Sequence, residues 1–422
     1  MSDLKYSLKK KAIKAYLNTL YPVLLHFRAK RVGYKDKIEV VFFAMNVANW
    51  HYQGVYDLLS QDERFNCHIV LTIALPYSKE QQTADLKQMR AHFDRLQIKY
   101  LDYDENSNQG YNVAGEINPD ILFFPQPYDG AFPDYHSYRA FRSKLLCYIP
   151  YGIGPITIDS WVYNTLFHNL AWKLYYPYES NKDESKKISM NHARNMLISG
   201  YPNFDKYLNN DVTDVWKRPE RIYKRLIWAP HFTITPLPDS PLNRSNFLRM
   251  ADLMLEIAKK YKNQLQIAFK PHPRLKSELY RHQDWGKEKT DSYYDKWSDM
   301  ENTQLETGDF VDLFKTSDAM IHDSASFTIE YLYVNKPVAF VSRNSEELSK
   351  KHSAIAVGAL QQHYIVTTEE EILSFVENVV IGEQDSLKEQ RTNFVTTQLL
   401  RDRDCSSSQF IVNDIKRSLG LN

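Results

Sequence analysis

Three short segments in the back half of the chain end apolar runs in groups that handle phosphate. From Gln264 an apolar run leads to Lys270, His272 and Arg274. Three potential cations at a strand's carboxyl end make a phosphate clamp. Pro271 and Pro273 stiffen the turn that holds them, and each keeps its predecessor extended. A second run, Leu226 to Ala229, is followed by Pro230 and His231. A third, Ala319 to Ile321, meets the polar cluster His322-Asp-Ser-Ala-Ser326 and then a helical pattern, Phe327, Ile329, Tyr331 and Leu332. Such a strand aims the backbone N–H groups around Ala325 and the positive end of a helix dipole at a ligand. Ser324 and Ser326 add hydroxyls at the same mouth. The plainer readings are a Ser- or Asp-capped strand–helix turn and, for Lys-Pro-His-Pro, a surface loop. Glu330 lies four residues after Ser326, on the same helix face. It is placed either to accept from ribose hydroxyls or simply to charge that face, while Asp323 reads as a helix cap. Open α/β sheets bind ligands at strand carboxyl ends, which suits all three tips.

In the front half, Leu145 to Ile149 runs into Pro150-Tyr-Gly-Ile-Gly-Pro155. Gly152 and Gly154 would let backbone approach a phosphate, or make a tight turn. His51 follows the first apolar run, Ile38 to Met45, where a lone histidine serves as a base or as packing. Asp102-Tyr-Asp104 has the spacing of a metal-binding pair but no supporting cluster. It reads as a solvated loop, and His192 and His352 read as surface residues.

Taken in order, Trp228-Ala-Pro-His231, Lys270-Pro-His-Pro-Arg274, Ser317-Asp318, His322-Asp-Ser-Ala-Ser326, Glu330 and Lys336-Pro337 resemble the C-terminal domain of the CDP-glycerol glycerophosphotransferase family. That family comprises the teichoic-acid polymerases and their capsule relatives. The likeness runs from about Arg225 to Val341 and is specific as a set. It implies a GT-B architecture: two Rossmann-like, doubly wound α/β domains facing a cleft, with the nucleotide on the C-terminal one. It also implies transfer of glycerol phosphate or another polyol phosphate from a CDP-activated donor to a hydroxyl of a surface-glycan or lipid-linked acceptor. CMP would leave, with no metal and no cofactor. His231, Lys270, His272, Arg274, Ser324, Ala325, Ser326 and Glu330 would then hold the donor. The family's base is a histidine in a His-Gly motif closing a first-domain strand, and Tyr151 stands at that turn here. A phenol with a pKa of about 10 is a poor base at neutral pH, so His51 and Asp159 are further candidates, with His272 on the donor side. Two other readings stay open. One is a GT-B glycosyltransferase using a nucleotide sugar, since fold does not fix function. The other is a non-catalytic nucleotide-binding subunit of a glycan assembly complex, for which the missing histidine speaks.

Bulk properties narrow the class. A chain of 422 residues fits about two or three domains and needs no staples. The net charge of +1 gives no basic field for nucleic acid. Cys67, Cys147 and Cys405 fit neither a disulfide framework nor a zinc site, so a reduced cytoplasmic setting is expected. No signal-peptide pattern and no apolar run of about 18 residues occurs. The start is nevertheless basic and amphipathic. Lys5, Lys9, Lys10, Lys11, Lys14, Arg28, Lys30 and Arg31 are interleaved with Ile13, Tyr16, Leu17, Leu20, Leu24 and Phe27, and a break is expected at Pro22. Such a helix either lies on the inner face of an anionic membrane or packs across the protein's own domains.

The expected elements are strands at Ile38–Met45, Cys67–Leu75, Ile98–Asp102, Asp120–Phe124 and Leu145–Ile149, with helices at Gln53–Ser60 and Lys79–Leu96. An aromatic stretch from Asp159 to Lys206 closes with a strand at Leu197. After a polar linker at Asn209–Lys224 come a strand from Arg225, a helix at Leu242–Tyr261 and strands at Gln264, Gln304–Thr307, Ala319–Ile321 and Pro337–Val341. A helical end begins at about Thr368. Strands alternating with helices argue doubly wound parallel sheets. The division expected is a basic helix at 1–33, an acceptor domain at 34–215, a donor domain at 216–400 and a terminal helix at 401–422 that crosses back.

Overall fold

The apolar runs become strands because they are buried on both faces, as parallel sheets require. From Val40 to Ala44 no residue exceeds 2% exposure. The computed structural model describes residues 2–153, 160–217, 223–235, 245–308, 310–343, 353–401 and 404–421. The chain forms two compact units. Unit 1 comprises Met1–Ile153, Ile158–Asp205 and Arg403–Asn422, and unit 2 comprises Gly154–Thr157 and Lys206–Asp402.

Unit 1 holds strands β1 (Ile38–Ala44), β2 (Phe65–Leu71), β3 (Ile121–Phe124), β4 (Leu145–Tyr148), β5 (Lys173–Tyr176) and β6 (Met196–Ile198). They form one parallel sheet in the order β2-β1-β3-β4-β5-β6, with Val40 opposite both Cys67 and Ile121. Its helices are α1 (Ser2–Asn18), α2 (Leu20–Gly33), α3 (Gln53–Ser60), α4 (Lys79–Arg95), α5 (Leu166–Leu170) and α6 (Glu179–Ile188). Unit 2 holds β7 (Lys224–Ala229), β8 (Leu265–Phe269), β9 (Thr303–Leu305), β10 (Ala319–His322), β11 (Val338–Val341) and β12 (Tyr364–Val366). This second parallel sheet has the order β12-β11-β10-β7-β8-β9. Counted from its own first strand, that is the 3-2-1-4-5-6 order of dinucleotide-binding folds, which reverses direction between β7 and β10. Helices α7 (Phe247–Lys260), α8 (Leu275–Arg281), α9 (Gly286–Asp299), α10 (Val311–Thr316), α11 (Phe327–Glu330), α12 (Ala354–Leu360), α13 (Glu369–Ser374) and α14 (Lys388–Phe394) complete unit 2. The last helix, α15 (Ser407–Leu419), belongs to unit 1. There Asp414 accepts from Tyr175 at 2.9 Å and pairs with Lys173, and Asp62 pairs with Lys416. Asp205 accepts from the first free amides of α15, Ser407 N and Ser408 N.

Several elements differ from the sequence reading. Ile98–Asp102 is not a strand: only Leu101 bridges, to Val70 at the outer edge of β2. β5 was hidden in the aromatic stretch and β12 is only three residues long. The N-terminal helix breaks at Thr19, not at Pro22. Pro22 sits in the first turn of α2, where its missing N–H costs nothing. The stretch expected as a linker is tied down where it is described. Asp214 pairs with the fully buried Arg225, Trp216 Nε1 donates to Thr316 at 3.0 Å, and Lys315 donates to Asn209 O at 2.8 Å. Lys206 to Val215 therefore belong to unit 2, and the rest of that stretch, 218–222, lies outside the described residues. Among the described residues no helix is long and apolar enough to cross a membrane.

Candidate active site at the carboxyl ends of the second sheet

The strands that carry the three polar tips are neighbours. β10 pairs with β7 and β7 pairs with β8, all parallel, so their carboxyl ends emerge side by side. They flank the point where strand order reverses, the place where open α/β sheets hold ligands. His231 and His272 stand with ring centroids 5.2 Å apart. The amide of His272 donates to Pro230 O at 3.1 Å, which locks the two proline turns together. Phe232, which the sequence reading passed over, packs 4.5 Å from the His272 ring and lies 4.2 Å beneath the Arg274 guanidinium. One edge donor of that guanidinium pairs with Glu278 at 3.3 Å, and stacking on an aromatic face leaves its other edge donors for a ligand.

The hydrogen bonds fix both tautomers. Arg274 N donates to His272 Nδ1 at 3.1 Å. Thr233 N donates to His231 Nδ1 at 3.4 Å, with the Thr233 hydroxyl 2.9 Å from the same nitrogen. Each ring therefore accepts at Nδ1 and carries its proton at Nε2, as a neutral donor. Burial, then Arg274, then Lys270, push the His272 pKa down to about 4. His272 thus stays uncharged through the neutral range and donates without first losing a proton.

Asp323 is the tie beneath this surface. It follows β10, and its carboxylate accepts from His231 N at 2.6 Å, from Asn246 N and from Asn246 Nδ2 at 3.3 Å. It therefore caps α7 and the turn after β7, not its own helix. Ser245 reinforces the corner by donating to His231 O at 2.7 Å, and Arg343 donates to Ser245 O at 2.8 Å. Arg343, just beyond β11, is a further strand-end cation that the sequence reading missed. Asp323→Ala should cost about 3–5 kcal/mol, because several buried donors lose one charged partner. Urea unfolding of unit 2 checks this, and Asp323→Asn should recover part of the loss.

The other expected residues divide. Ser324 and Ala325 are buried and Ser326 is exposed. The two serine oxygens lie 3.4 Å apart, and Ser324 N donates to His322 Nδ1, which shapes the loop. The helix they open, α11, is only four residues long before it tightens into a 3-10 turn at Tyr331–Val334. Hydroxyls and first-turn amides are therefore what this mouth offers, with a smaller dipole than a long helix would give. Lys270 is buried, donates to Gly308 O at 3.0 Å and lies 5.0 Å from the Phe310 ring centroid. Glu330 accepts from Tyr207 at 3.0 Å. Three residues of the sequence pattern build the scaffold instead. Asp318 accepts from Arg225 N at 2.8 Å, Ser317 donates to Phe314 O at 2.8 Å, and Lys336 donates to Lys315 O at 2.6 Å, closing the carboxyl end of α10.

His51 is 1% exposed, its Nε2 sits 2.8 Å from Ile149 O, and burial pushes its pKa down to about 4. It is a packed core histidine, not a base that meets a hydroxyl. Tyr151 is 39% exposed, and its hydroxyl lies 3.3 Å from that of Tyr128. A side chain added at Gly152 would meet nothing within 4 Å, so protein packing alone does not demand glycine there. Gly154 and Asp159 lie outside the described residues, as does His352. Asp102 is held by Arg90 at 2.9 Å, and Asp104 accepts from Asn106 N and Ser107 within its own loop. His192 is exposed.

Comparison with known proteins extends this picture. A family model described as CDP-Glycerol:Poly(glycerophosphate) glycerophosphotransferase matches residues 179–417. No curated protein matches the chain by sequence. The solved wall teichoic acid polymerase TagF, soaked with CDPG, superposes with a TM-score of 0.58 at 14% identity, covering 98% of this chain and 98% of that one. The UDP-GlcNAc 2-epimerase of Neisseria meningitidis, bound to UDP-GlcNAc, gives 0.55 at 16%, covering 90% and 100%. S. aureus MnaA with UDP gives 0.54 at 15%, covering 92% and 98%. At such identities the likeness concerns the fold, and the two doubly wound units are of the GT-B class. The sequence match spans more than half of the chain, and its strand-end histidines, arginine and serines meet on adjacent strands; the chain belongs to the CDP-glycerol:poly(glycerophosphate) glycerophosphotransferase family.

Proposed function

We propose that this protein moves glycerol phosphate, or another polyol phosphate, from a CDP-activated donor to a hydroxyl of a surface-glycan or lipid-linked acceptor, and releases CMP. The observation that supports it most is the pairing of His231 and His272, whose ring centroids stand 5.2 Å apart at the point where the second sheet reverses. In the reaction the acceptor oxygen bonds to the phosphorus next to the glycerol. The bond from that phosphorus to the bridging oxygen breaks, and its electron pair leaves with CMP. Negative charge grows on the leaving phosphate. His231, His272, Arg274, Ser324 and Ser326 are the donors we assign to it, with the amide of Ala325. Lys270 adds fixed positive charge behind them, and Glu330, held by Tyr207, is assigned to the ribose hydroxyls. Phosphoryl transfer asks mainly for positioning and charge stabilisation. In a loose transition state bond-breaking leads, so the acceptor hydroxyl needs no strong base. The proton passes to solvent.

The test is donor turnover with a lipid-linked or glycan acceptor, with chelator and with magnesium. Release of CMP in step with acceptor phosphorylation, unaffected by chelation, supports the reading. Release of a nucleoside diphosphate would make the chain a sugar transferase. Binding of CDP without turnover on any acceptor would make it a non-catalytic subunit.

A further inference from the structure

Ser324 opens the mouth to which the donor's phosphate is assigned, and one ring sets its backbone. His322 ends β10, is 1% exposed, and has its Nδ1 3.1 Å from both the amide nitrogen and the carbonyl oxygen of Ser324. Which of the two it holds depends on where the ring carries its proton. A bare Nδ1 accepts from the amide, and a protonated Nδ1 donates to the carbonyl. That carbonyl already accepts from the Thr328 hydroxyl at 3.1 Å. The bond from the amide therefore completes the set, and it puts the His322 proton on Nε2.

A second buried histidine lies beside that ring. His363, in the turn between α12 and β12, is 4% exposed, and its ring centroid stands 5.4 Å from that of His322 at an interplanar angle of 64°. Phe340 of β11 packs at right angles to His322, 5.3 Å away. His363 holds the opposite tautomer. Its Nδ1 is 2.8 Å from Ala359 O, which can only accept, so Nδ1 carries the proton and Nε2 is bare. That Nε2 is buried and has no hydrogen-bond partner among the described residues. Burial pushes the His363 pKa down to about 3, so the ring stays neutral. Native chains keep few buried acceptors unmet, because each opposes folding. Two neighbouring rings thus offer an N–H and a lone pair, and imidazoles at this separation can join directly or through one bridging water.

We propose that His363 is a positioning residue of the donor site: its bare nitrogen selects the Nε2–H tautomer of His322, and that tautomer fixes the Ser324 amide and the hydroxyls of the mouth for a phosphate. This rests on the reading that the Ser324–Ser326 mouth receives the donor's phosphate. Without the lone pair of His363, the His322 proton moves to Nδ1 and turns to Ser324 O. It then competes with the Thr328 hydroxyl and releases the amide, so the first peptide of the loop can rotate.

Nitrogen NMR of the histidine-labelled full chain reads the tautomer, because protonated and bare ring nitrogens resonate far apart. The His322 signals are those lost in His322→Asn. The parent should carry the hydrogen on Nε2. In His363→Leu the tautomer ratio should move toward Nδ1–H by about tenfold or more, and CDP affinity should fall roughly tenfold, each the effect of one buried hydrogen bond. Cytidine, which has no phosphate, should bind both proteins equally. His363→Gln, whose amide can donate to Ala359 O and accept from His322, should restore both tautomer and affinity. A parent with the hydrogen on Nδ1, or a tautomer that His363→Leu leaves unchanged, would overturn the proposal. So would a shifted tautomer with unchanged CDP affinity. Equal loss of CDP and cytidine binding, or no recovery in His363→Gln, would make His363 a packing residue only. A parent that binds no CDP would refute the phosphate reading and the role given to the mouth, whereas the tautomer measurement needs no ligand and stands apart from that result.

Discussion

His272→Ala should lower kcat by about a hundredfold to a thousandfold, with KM for the donor changed much less. That range is what one preorganised donor to a developing charge contributes in other acyl- and phosphoryl-transfer sites. His272 suits the role because its Nδ1 is occupied by the Arg274 amide and its Nε2 keeps the proton. Charge on the leaving phosphate grows as the bond breaks, so the loss belongs to the transition state and appears in kcat. His272→Gln, which keeps an N–H donor, should recover part of the rate. The folded pKa of about 4 adds a second signature: His272 should contribute no limb to the rate profile between pH 5 and 8. A variant within about threefold of the parent, with the fold intact, would remove His272 from the chemistry.

Unit 1 should lose stability in mild acid. Burial pushes His51 and His136 from an ordinary 6.5 down to about 4, and His168 to about 3. In unit 2 burial pushes His363 down to about 3 in the same way. Each is harder to protonate folded than unfolded. The unfolded chain therefore binds more protons below pH 6.5, and the stability that is full above 6.5 is lost as pH falls toward 4. At pH 5 each fully buried histidine costs about 2 kcal/mol. Three of them approach the roughly 5–15 kcal/mol that holds a domain folded. Asp57 and Asp85, whose carboxyls burial pushes up, offset part of this in unit 1. The melting temperature of unit 1, followed by circular dichroism, should fall as pH drops from 7 to 5, with uptake of about three protons on its unfolding. A melting profile that does not change over that range would refute the assignment.

The candidate site was legible as a cluster because each tip is local. Lys270, His272 and Arg274 sit within five residues, stiffened by two prolines, directly after a run that had to be buried. Adjacency of the three tips came from the α/β pattern and the rule of strand ends. What stayed hidden depends on partners far along the chain. Asp323 looked like a cap for its own helix, but its partners lie 92 and 77 residues away, at His231 and Asn246. Asp214 looked like linker, yet it neutralises a buried Arg225. β5 escaped because Lys173 opens it and tyrosines fill it, and the sheet, not propensity, decides such a segment. His51 looked reactive at a strand end, and only three-dimensional packing shows that it faces Ile149 and the core.

The return of α15 to unit 1 sets an order of manufacture. Chains leave the ribosome N-terminus first, and domains commonly fold as they emerge. Here the front unit waits for its closing piece: Tyr175, Lys173, Asp62 and Asp205 all find partners on α15. Every residue of the second sheet is translated in between. A nascent chain therefore carries an incomplete front unit until α15, beyond the whole second sheet, is released.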